Sequence, residues 1–148
     1  MRANVLKIWP GFLFLVLFLS ALQFWPASWW LEVASIRVDN GSDSSKLEMY
    51  IDRKINHSFI GQWDIVIRRW EGEWVFACSA TGGGGNFIAD SKAPKHLTLG
   101  SWTDKQCHPL EPGRYMISKT WKIQLLGLMP DKFVTQTSNA FVVTTNDK

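Results

Sequence analysis

The sequence predicts an all-β domain, an immunoglobulin-like antiparallel sandwich of about seven strands, preceded by one N-terminal hydrophobic helix. From Leu31 onward, apolar residues recur at every second position in short segments that turn residues separate, as is typical of antiparallel strands. About seven such segments are typical of two sheets packed face to face. A charge-free run near the N-terminus predicts the helix and divides the chain into residues 1–30 and 31–148.

The N-terminal segment carries no charge over the 24 residues from Ile8 to Leu31, and Arg2 and Lys7 precede it. As a helix it is roughly 36 Å long, against a hydrocarbon core of about 30 Å. Tryptophans flank it at both ends, where indoles collect at water–lipid interfaces. We therefore expect a single-pass signal anchor with a cytoplasmic N-terminus and a periplasmic or extracellular C-terminal domain. A signal peptide cleaved after export is the alternative, because the strongest apolar run is short.

The charges of the exported part are balanced. Without Arg2 and Lys7, the 16 basic residues fall to 14, against 13 acidic residues, and the two signs are interspersed. Nucleic-acid binding requires a basic stripe that neutralises phosphates. We therefore expect no nucleic-acid partner.

Two cysteines, Cys78 and Cys107, are present in the chain. An even number in an exported protein favours a disulfide. A loop of about 30 residues closed in this way removes denatured-state entropy worth about 3.5 kcal/mol. The alternative is a free thiol pair or a metal site with His108, which would need more ligands at closer spacing.

The predicted strands follow from the alternation. They are Leu31–Val38, Leu47–Ile55, Gln62–Trp70, Glu73–Ser79, His96–Trp102, Arg114–Leu125 and Lys132–Thr144, the last interrupted near Asn139. The third and fourth form a hairpin around Glu71-Gly72, and Trp74, Phe76 and Cys78 are expected on one buried face. Four glycines, Gly82 to Gly85, are expected in a flexible tip or a sheet crossover.

The tryptophans of the domain divide into two groups. Trp63 and Trp121 lie among apolar residues at every second position and are expected between the sheets. Trp70 and Trp102 lie near turns, so these two are the candidate exposed contact residues. Tyr115, after a Pro-Gly turn, is a candidate for the tyrosine corner of immunoglobulin-like folds.

The sequence holds no pattern that predicts catalysis. His57, His96 and His108 lie in predicted loops or at strand ends, where surface positions are expected. No nucleophile elbow, metalloprotease motif or phosphate-binding loop occurs. We therefore expect no enzyme activity, cofactor, metal or small-molecule substrate.

Several segments resemble a known group of proteins. They run from Ile51 to Trp63, from Leu97 to Thr103, from Cys107 to Tyr115 and from Thr137 to Val143. They are similar to small uncharacterised membrane-anchored or exported proteins of tailed phages and prophages of Gram-negative bacteria. The resemblance implies a phage context and a periplasmic location, and it implies no activity.

The expected function is that of a membrane-tethered, non-enzymatic interaction domain in the periplasm, which binds another envelope or phage protein. A role in lysis or in modification of the host envelope is implied by the resemblance alone. A virion structural or assembly component is one alternative. An enzyme acting on the cell wall is another, and it would need two carboxylates across a cleft.

Overall fold

The computed structural model describes residues 5–90, 94–103, 106–125 and 129–145, and it is mostly β. Among these residues, eight strands form two antiparallel sheets and one long helix lies near the N-terminus. The elements are α1 (Val5–Gln23), β1 (Leu31–Val38), β2 (Glu48–Ile55), β3 (Phe59–Trp70), β4 (Trp74–Phe87), β5 (His96–Thr98), α2 (Leu99–Trp102), β6 (Gly113–Gln124), β7 (Lys132–Thr137) and β8 (Phe141–Val143).

The smaller sheet has the order β1-β2-β5, and the larger has the order β4-β3-β6-β7. Strand β8 pairs with the first residues of β6, and β7 pairs with the later ones. The two sheets share one apolar core, to which the smaller sheet contributes Met49 and Ile51 and the larger contributes Ile65, Ile117 and Trp121. This arrangement is sandwich-like, and its alternation of buried and exposed residues is the period-two pattern of the sequence.

Several predicted elements are confirmed. Strand β1 has its predicted bounds, and the hairpin around Glu71-Gly72 joins β3 to β4. The predicted interruption near Asn139 separates β7 from β8. The Asn139 side chain accepts the Val38 amide at 2.9 Å and donates to the Val38 carbonyl at 3.0 Å, so it links the larger sheet to β1.

The prediction for the four glycines is wrong. Gly82 to Gly85 lie within β4, which pairs with β3 along its length. A Cβ atom at Gly82 would lie 1.9 Å from the indole of Trp63, its cross-strand partner. Glycine in a strand interior often marks such a close approach, and here it leaves room for the Trp63 ring. That ring is half-buried against the core.

The predicted shared face of β4 is also wrong, because a bulge interrupts the alternation. Ile67 pairs with Cys78, whereas the adjacent Arg68 pairs with Phe76, so Ala77 is the extra residue. Cys78 therefore points to the same side as the buried Ile67. Phe76 lies on the opposite face and is 66% exposed.

The predicted strand His96–Trp102 ends early, at Thr98. The next four residues form the short helix α2, and the Thr98 side chain caps it by accepting the Ser101 amide at 3.3 Å. The turn carries Trp102 into the core, where it is 6% exposed and its indole N–H donates to the Met49 carbonyl at 3.3 Å. The prediction of Trp102 as an exposed contact residue is therefore wrong.

The predicted disulfide is formed between Cys78 and Cys107. It joins the outermost strand of the larger sheet, β4, to the segment before β6. Beside it, the Gln106 side chain donates to the Thr81 carbonyl at 3.3 Å and accepts the Thr81 amide at 3.4 Å. Gln106 thus takes the place of a neighbouring strand at Thr81, and disulfide and side chain together cover the middle of this sheet edge.

The N-terminal helix α1 ends before Pro26, and its side chains at 12–18 are largely exposed and apolar. Arg2 lies outside the described residues. Among those that are described, no helix combines the length and apolarity needed to cross a membrane. The link from α1 to β1, residues 24–30, is hereafter the collar.

The collar is bound firmly to the domain. The Trp30 carbonyl accepts the Asn56 amide at 2.9 Å, and the Asn56 side chain donates to the Ser28 carbonyl at 3.1 Å. The His57 ring stacks on Trp29 with 4.4 Å between centroids, and its Nδ1 lies 2.6 Å from the Trp29 carbonyl. These contacts attach the apolar helix to the end of the domain at which β2 ends and β3 begins, hereafter the base.

Candidate functional site

The hairpin between β3 and β4 carries an aromatic surface at the end opposite the base. It is formed by Trp70, Trp74 and Phe76, and is hereafter the aromatic tip. The two indoles are a cross-strand pair with ring centroids 5.2 Å apart, and Trp70 is 43% exposed. Trp70 is thus exposed as the sequence predicted, and its role in contact remains a prediction.

Cationic side chains border the aromatic tip on the same face of the sheet. The Arg114 guanidinium lies 5.9 Å from the centroid of the Trp74 ring. Arg68 is the cross-strand partner of Phe76 and donates to the Ser118 hydroxyl at 3.1 Å. Aromatic residues and arginine are enriched in protein interfaces, particularly at energetic hot spots.

Contacts on the other side of the hairpin hold the tip in place. Arg69 donates to Glu111 at 2.8 Å and to the Pro112 carbonyl at 3.4 Å. The bond to Glu111 raises the pKa of Arg69 above its ordinary value. The Tyr115 hydroxyl donates to the Glu111 carbonyl at 2.8 Å, in the manner expected of a tyrosine corner. The hairpin therefore displays its aromatic side chains on a fixed support.

No family model, curated protein or solved structure matches this chain. The reasoning about its function therefore depends on the geometry of its own residues.

A second cluster lies in the core and was not predicted. Lys119 is 0% exposed, and its ammonium group lies against three tryptophans. Its Nζ is 3.8 Å from the ring centroid of Trp102, 4.1 Å from that of Trp63 and 5.3 Å from that of Trp121. Within the part of the chain that the structure describes, Nζ has no hydrogen-bond partner. The four residues form what we call the tryptophan cage.

Two opposing effects act on Lys119. Burial lowers its pKa from the ordinary 10.5 to about 6, and the nearby Arg53 guanidinium acts in the same direction. The faces of the three indoles attract the ammonium form instead. Arg53 is itself buried, and burial lowers its pKa as well. The cage therefore holds a lysine whose protonation is costly.

The signal for Lys119 was present in the sequence. The inward positions of β6 are Tyr115, Ile117, Trp121 and Ile123, and Lys119 occupies the same alternating series. A lysine at an inward-facing position of this strand is therefore predicted to be buried. The identity of the three tryptophans around it does not follow from that series, because they come from β3, α2 and β6.

His108 is the third candidate, and the prediction that it is a lone surface residue is wrong. Its Nδ1 lies 3.1 Å from the Ser44 hydroxyl, and its Nε2 lies 3.0 Å from the Thr103 hydroxyl. Ser44 also accepts the Leu110 amide at 2.9 Å, and it is itself buried. Burial lowers the pKa of His108, which favours the neutral ring. A serine beside a histidine resembles a catalytic pair, but this serine is only 3% exposed, and His108 and the Leu110 amide both bond to its hydroxyl. These bonds join two loops.

The remaining histidines are exposed, as predicted. His57 stacks on Trp29, and His96 stacks on Tyr50 with 4.4 Å between centroids. Among the described residues, no group of three or more His, Cys, Asp or Glu side chains is placed to hold a metal ion. The aromatic tip is therefore the candidate site that is both accessible and rigidly supported.

Proposed function

We propose that this chain is an exported, non-enzymatic interaction protein, held at the outer face of a membrane by α1, that binds another protein through its aromatic tip. The observation that carries the proposal is the position of the tip. Strand β3 runs from Phe59 at the base to Trp70 at the tip, a distance of roughly 36 Å at about 3.3 Å per residue. The tip is therefore presented to partners well away from the helix.

Export is supported by the disulfide and by the helix. Disulfides persist in oxidising compartments outside the cytoplasm and are rare within it. The apolar side chains of α1 at positions 12–18 are exposed on every side of the helix, and a helix that is hydrophobic all round needs an apolar environment. Lipid supplies such an environment next to an exported domain.

We further propose that the sandwich is immunoglobulin-like. The bond between the Tyr115 hydroxyl and the Glu111 carbonyl supports this, since the tyrosine corner is a hallmark of that fold. The resemblance to exported phage and prophage proteins favours a periplasmic location at the envelope of a Gram-negative host. In that setting the partner is an envelope or phage protein.

Site-specific photo-cross-linking in the cells that produce the protein tests the role of the tip. The photoreactive residue p-benzoylphenylalanine replaces either Phe76 at the tip or Thr135, an exposed residue of the same sheet face on β7. We expect a discrete protein adduct from position 76, weakened by Trp70→Ala, and none from position 135. Equal adducts from the two positions, or none at all, would refute the tip as the binding site.

A further inference from the structure

A groove of about 700 Å³ lies at the base of the domain. Its described walls come from the beginning of β3, the end of β4, Leu125 and Met129 after β6, and the collar. The stacked rings of Phe59 and Phe87, 4.7 Å apart, form one part of it. Ile60 and Ile88 form another part, and they are 52% and 59% exposed. A groove of this volume is within the range of small-ligand sites.

Among the described residues, the lining of the groove is mostly apolar and includes no charged side chain. Besides the four residues above it includes Trp30, Leu125 and Met129, and its polar members are Ser58, Asn86 and Gln124. Ser58 already accepts the Ala89 amide at 2.9 Å. A lining without charge and with few free hydrogen-bonding groups suits an alkyl chain, which needs no polar partners.

The location of the groove indicates which molecule would supply such an alkyl chain. Trp30, one of the lining residues, is the last residue of the collar, and its carbonyl holds the amide of Asn56. Lys132, at the beginning of β7, donates to the carbonyl of Gln23, the last residue of α1. The apolar helix therefore joins the domain beside the groove, and lipid that surrounds the helix borders the groove as well.

We infer that the groove at the base binds an acyl chain of a membrane lipid. This inference rests on the proposed association of α1 with a membrane, and it adds a second apolar contact between protein and lipid. Burial of the exposed parts of Ile60 and Ile88 against the acyl chain removes apolar surface from water, which favours binding. The bound acyl chain would orient the domain, so that the aromatic tip points away from the bilayer.

The test places p-benzoylphenylalanine at one of three positions in the full-length protein, reconstituted in vesicles of phosphatidylethanolamine and phosphatidylglycerol. Position 88 probes the groove, position 14 probes the helix and position 76 at the tip is the control. We expect lipid adducts at positions 88 and 14 and none at position 76. Ile60→Glu should abolish the adduct at position 88, whereas Val142→Glu, on an exposed side chain of β8 that pairs with Arg114 far from the groove, should leave it unchanged.

The outcomes separate the groove from the tether. A lipid adduct at position 14 without one at position 88 refutes the acyl-chain site in the groove and supports the contact of α1 with the membrane. A cross-link from position 88 to a second copy of this protein also refutes the acyl-chain site, since that copy then occupies the groove. Lipid at position 88 without lipid at position 14 supports the groove and refutes the role of α1, and lipid at neither position refutes both.

Discussion

At the scale of single residues, Lys119 is the most unusual feature of the molecule. Burial lowers the pKa of Lys119 from the ordinary 10.5 to about 6, so the side chain loses its proton when the protein folds at pH 7. This deprotonation lowers the free energy of unfolding by about 5 kcal/mol. The three indoles of the tryptophan cage offset part of this cost when they bind the ammonium form. Such a residue weakens the fold at neutral pH, and its removal should strengthen it.

Replacing Lys119 by methionine should stabilise the protein at pH 7 and flatten the pH dependence of its stability. Between pH 6 and pH 10 the unfolded chain holds a proton that native Lys119 lacks, so the stability of the native protein rises with pH over this window. From pH 6.5 to pH 9 the rise is roughly 3 kcal/mol. Urea unfolding of the full chain in mild detergent at these two pH values measures it.

Lys122→Met is the matched control, because Lys122 lies on the same strand but makes a surface ion pair with Asp131 at 2.9 Å. Its loss should change the free energy of unfolding by less than about 1 kcal/mol at either pH. If Lys119→Met kept the wild-type pH dependence, the lowered pKa of Lys119 would be contradicted.

The burial of Trp102 changes the expected effect of its truncation. Trp102→Ala removes a buried indole, its bond to the Met49 carbonyl and one wall of the tryptophan cage. A loss of about 3–5 kcal/mol in the free energy of unfolding is expected from such a change. Trp70→Ala, at the exposed tip, should cost less than about 1 kcal/mol. The same urea unfolding compares them, and equal losses would place Trp102 outside the core.

At the scale of elements, β4 shows how an edge strand is shielded. Its middle is covered by the Cys78–Cys107 bond and by Gln106, which pairs with both backbone groups of Thr81. Exposed edges are sites of unwanted strand pairing, and covering them prevents it. The disulfide therefore has two effects: it restricts the unfolded chain, and it helps to cover the edge of the larger sheet.

Removal of the disulfide by the pair Cys78→Ala and Cys107→Ala should lower the free energy of unfolding by about 3.5 kcal/mol, the loop-closure value for 29 residues of separation. Loss of the cover over β4 should also increase aggregation at high protein concentration. Urea unfolding measures the first effect and light scattering the second. The variant Gln106→Ala, which keeps the disulfide, should raise aggregation with a much smaller loss of stability. Unchanged scattering in both variants would show that the uncovered edge of β4 does not promote aggregation.

At the scale of the whole molecule, the two ends of the domain differ in their surfaces. The base carries α1, the collar and the apolar groove, and the other end of β3 carries the aromatic tip. Rigid strands connect the two ends, so the position of the base relative to a membrane determines where the tip lies. This polarity underlies both the proposed function and the acyl-chain site.

The proposed export by the N-terminal segment predicts the redox state of the cysteines in cells. The full chain should contain the Cys78–Cys107 bond, whereas a chain that lacks residues 2–23 should stay in the cytoplasm with two free thiols, because that compartment keeps thiols reduced. Alkylation of free thiols in unreduced lysates, followed by gel electrophoresis, separates the two states. Free thiols in the full chain, or a disulfide in the truncated one, would argue against export.

The sequence by itself determined the features that depend on local order. Alternation at period two located β1, the hairpin and the inward series of β6, because neighbouring side chains of a strand point to opposite faces. The pairing of Cys78 with Cys107 followed from there being only two cysteines. The exposure of Trp70 followed from its place beside a tight turn.

Only the tertiary structure decided where the alternation fails and which distant residues meet. The extra residue Ala77 moves Phe76 to the outer face, and the turn of α2 carries Trp102 inward. The glycines of β4 form a strand because Gly82 makes room for the ring of Trp63. Bulges, capped turns and close approaches depend on partners from other strands, so the period of a single segment does not contain them.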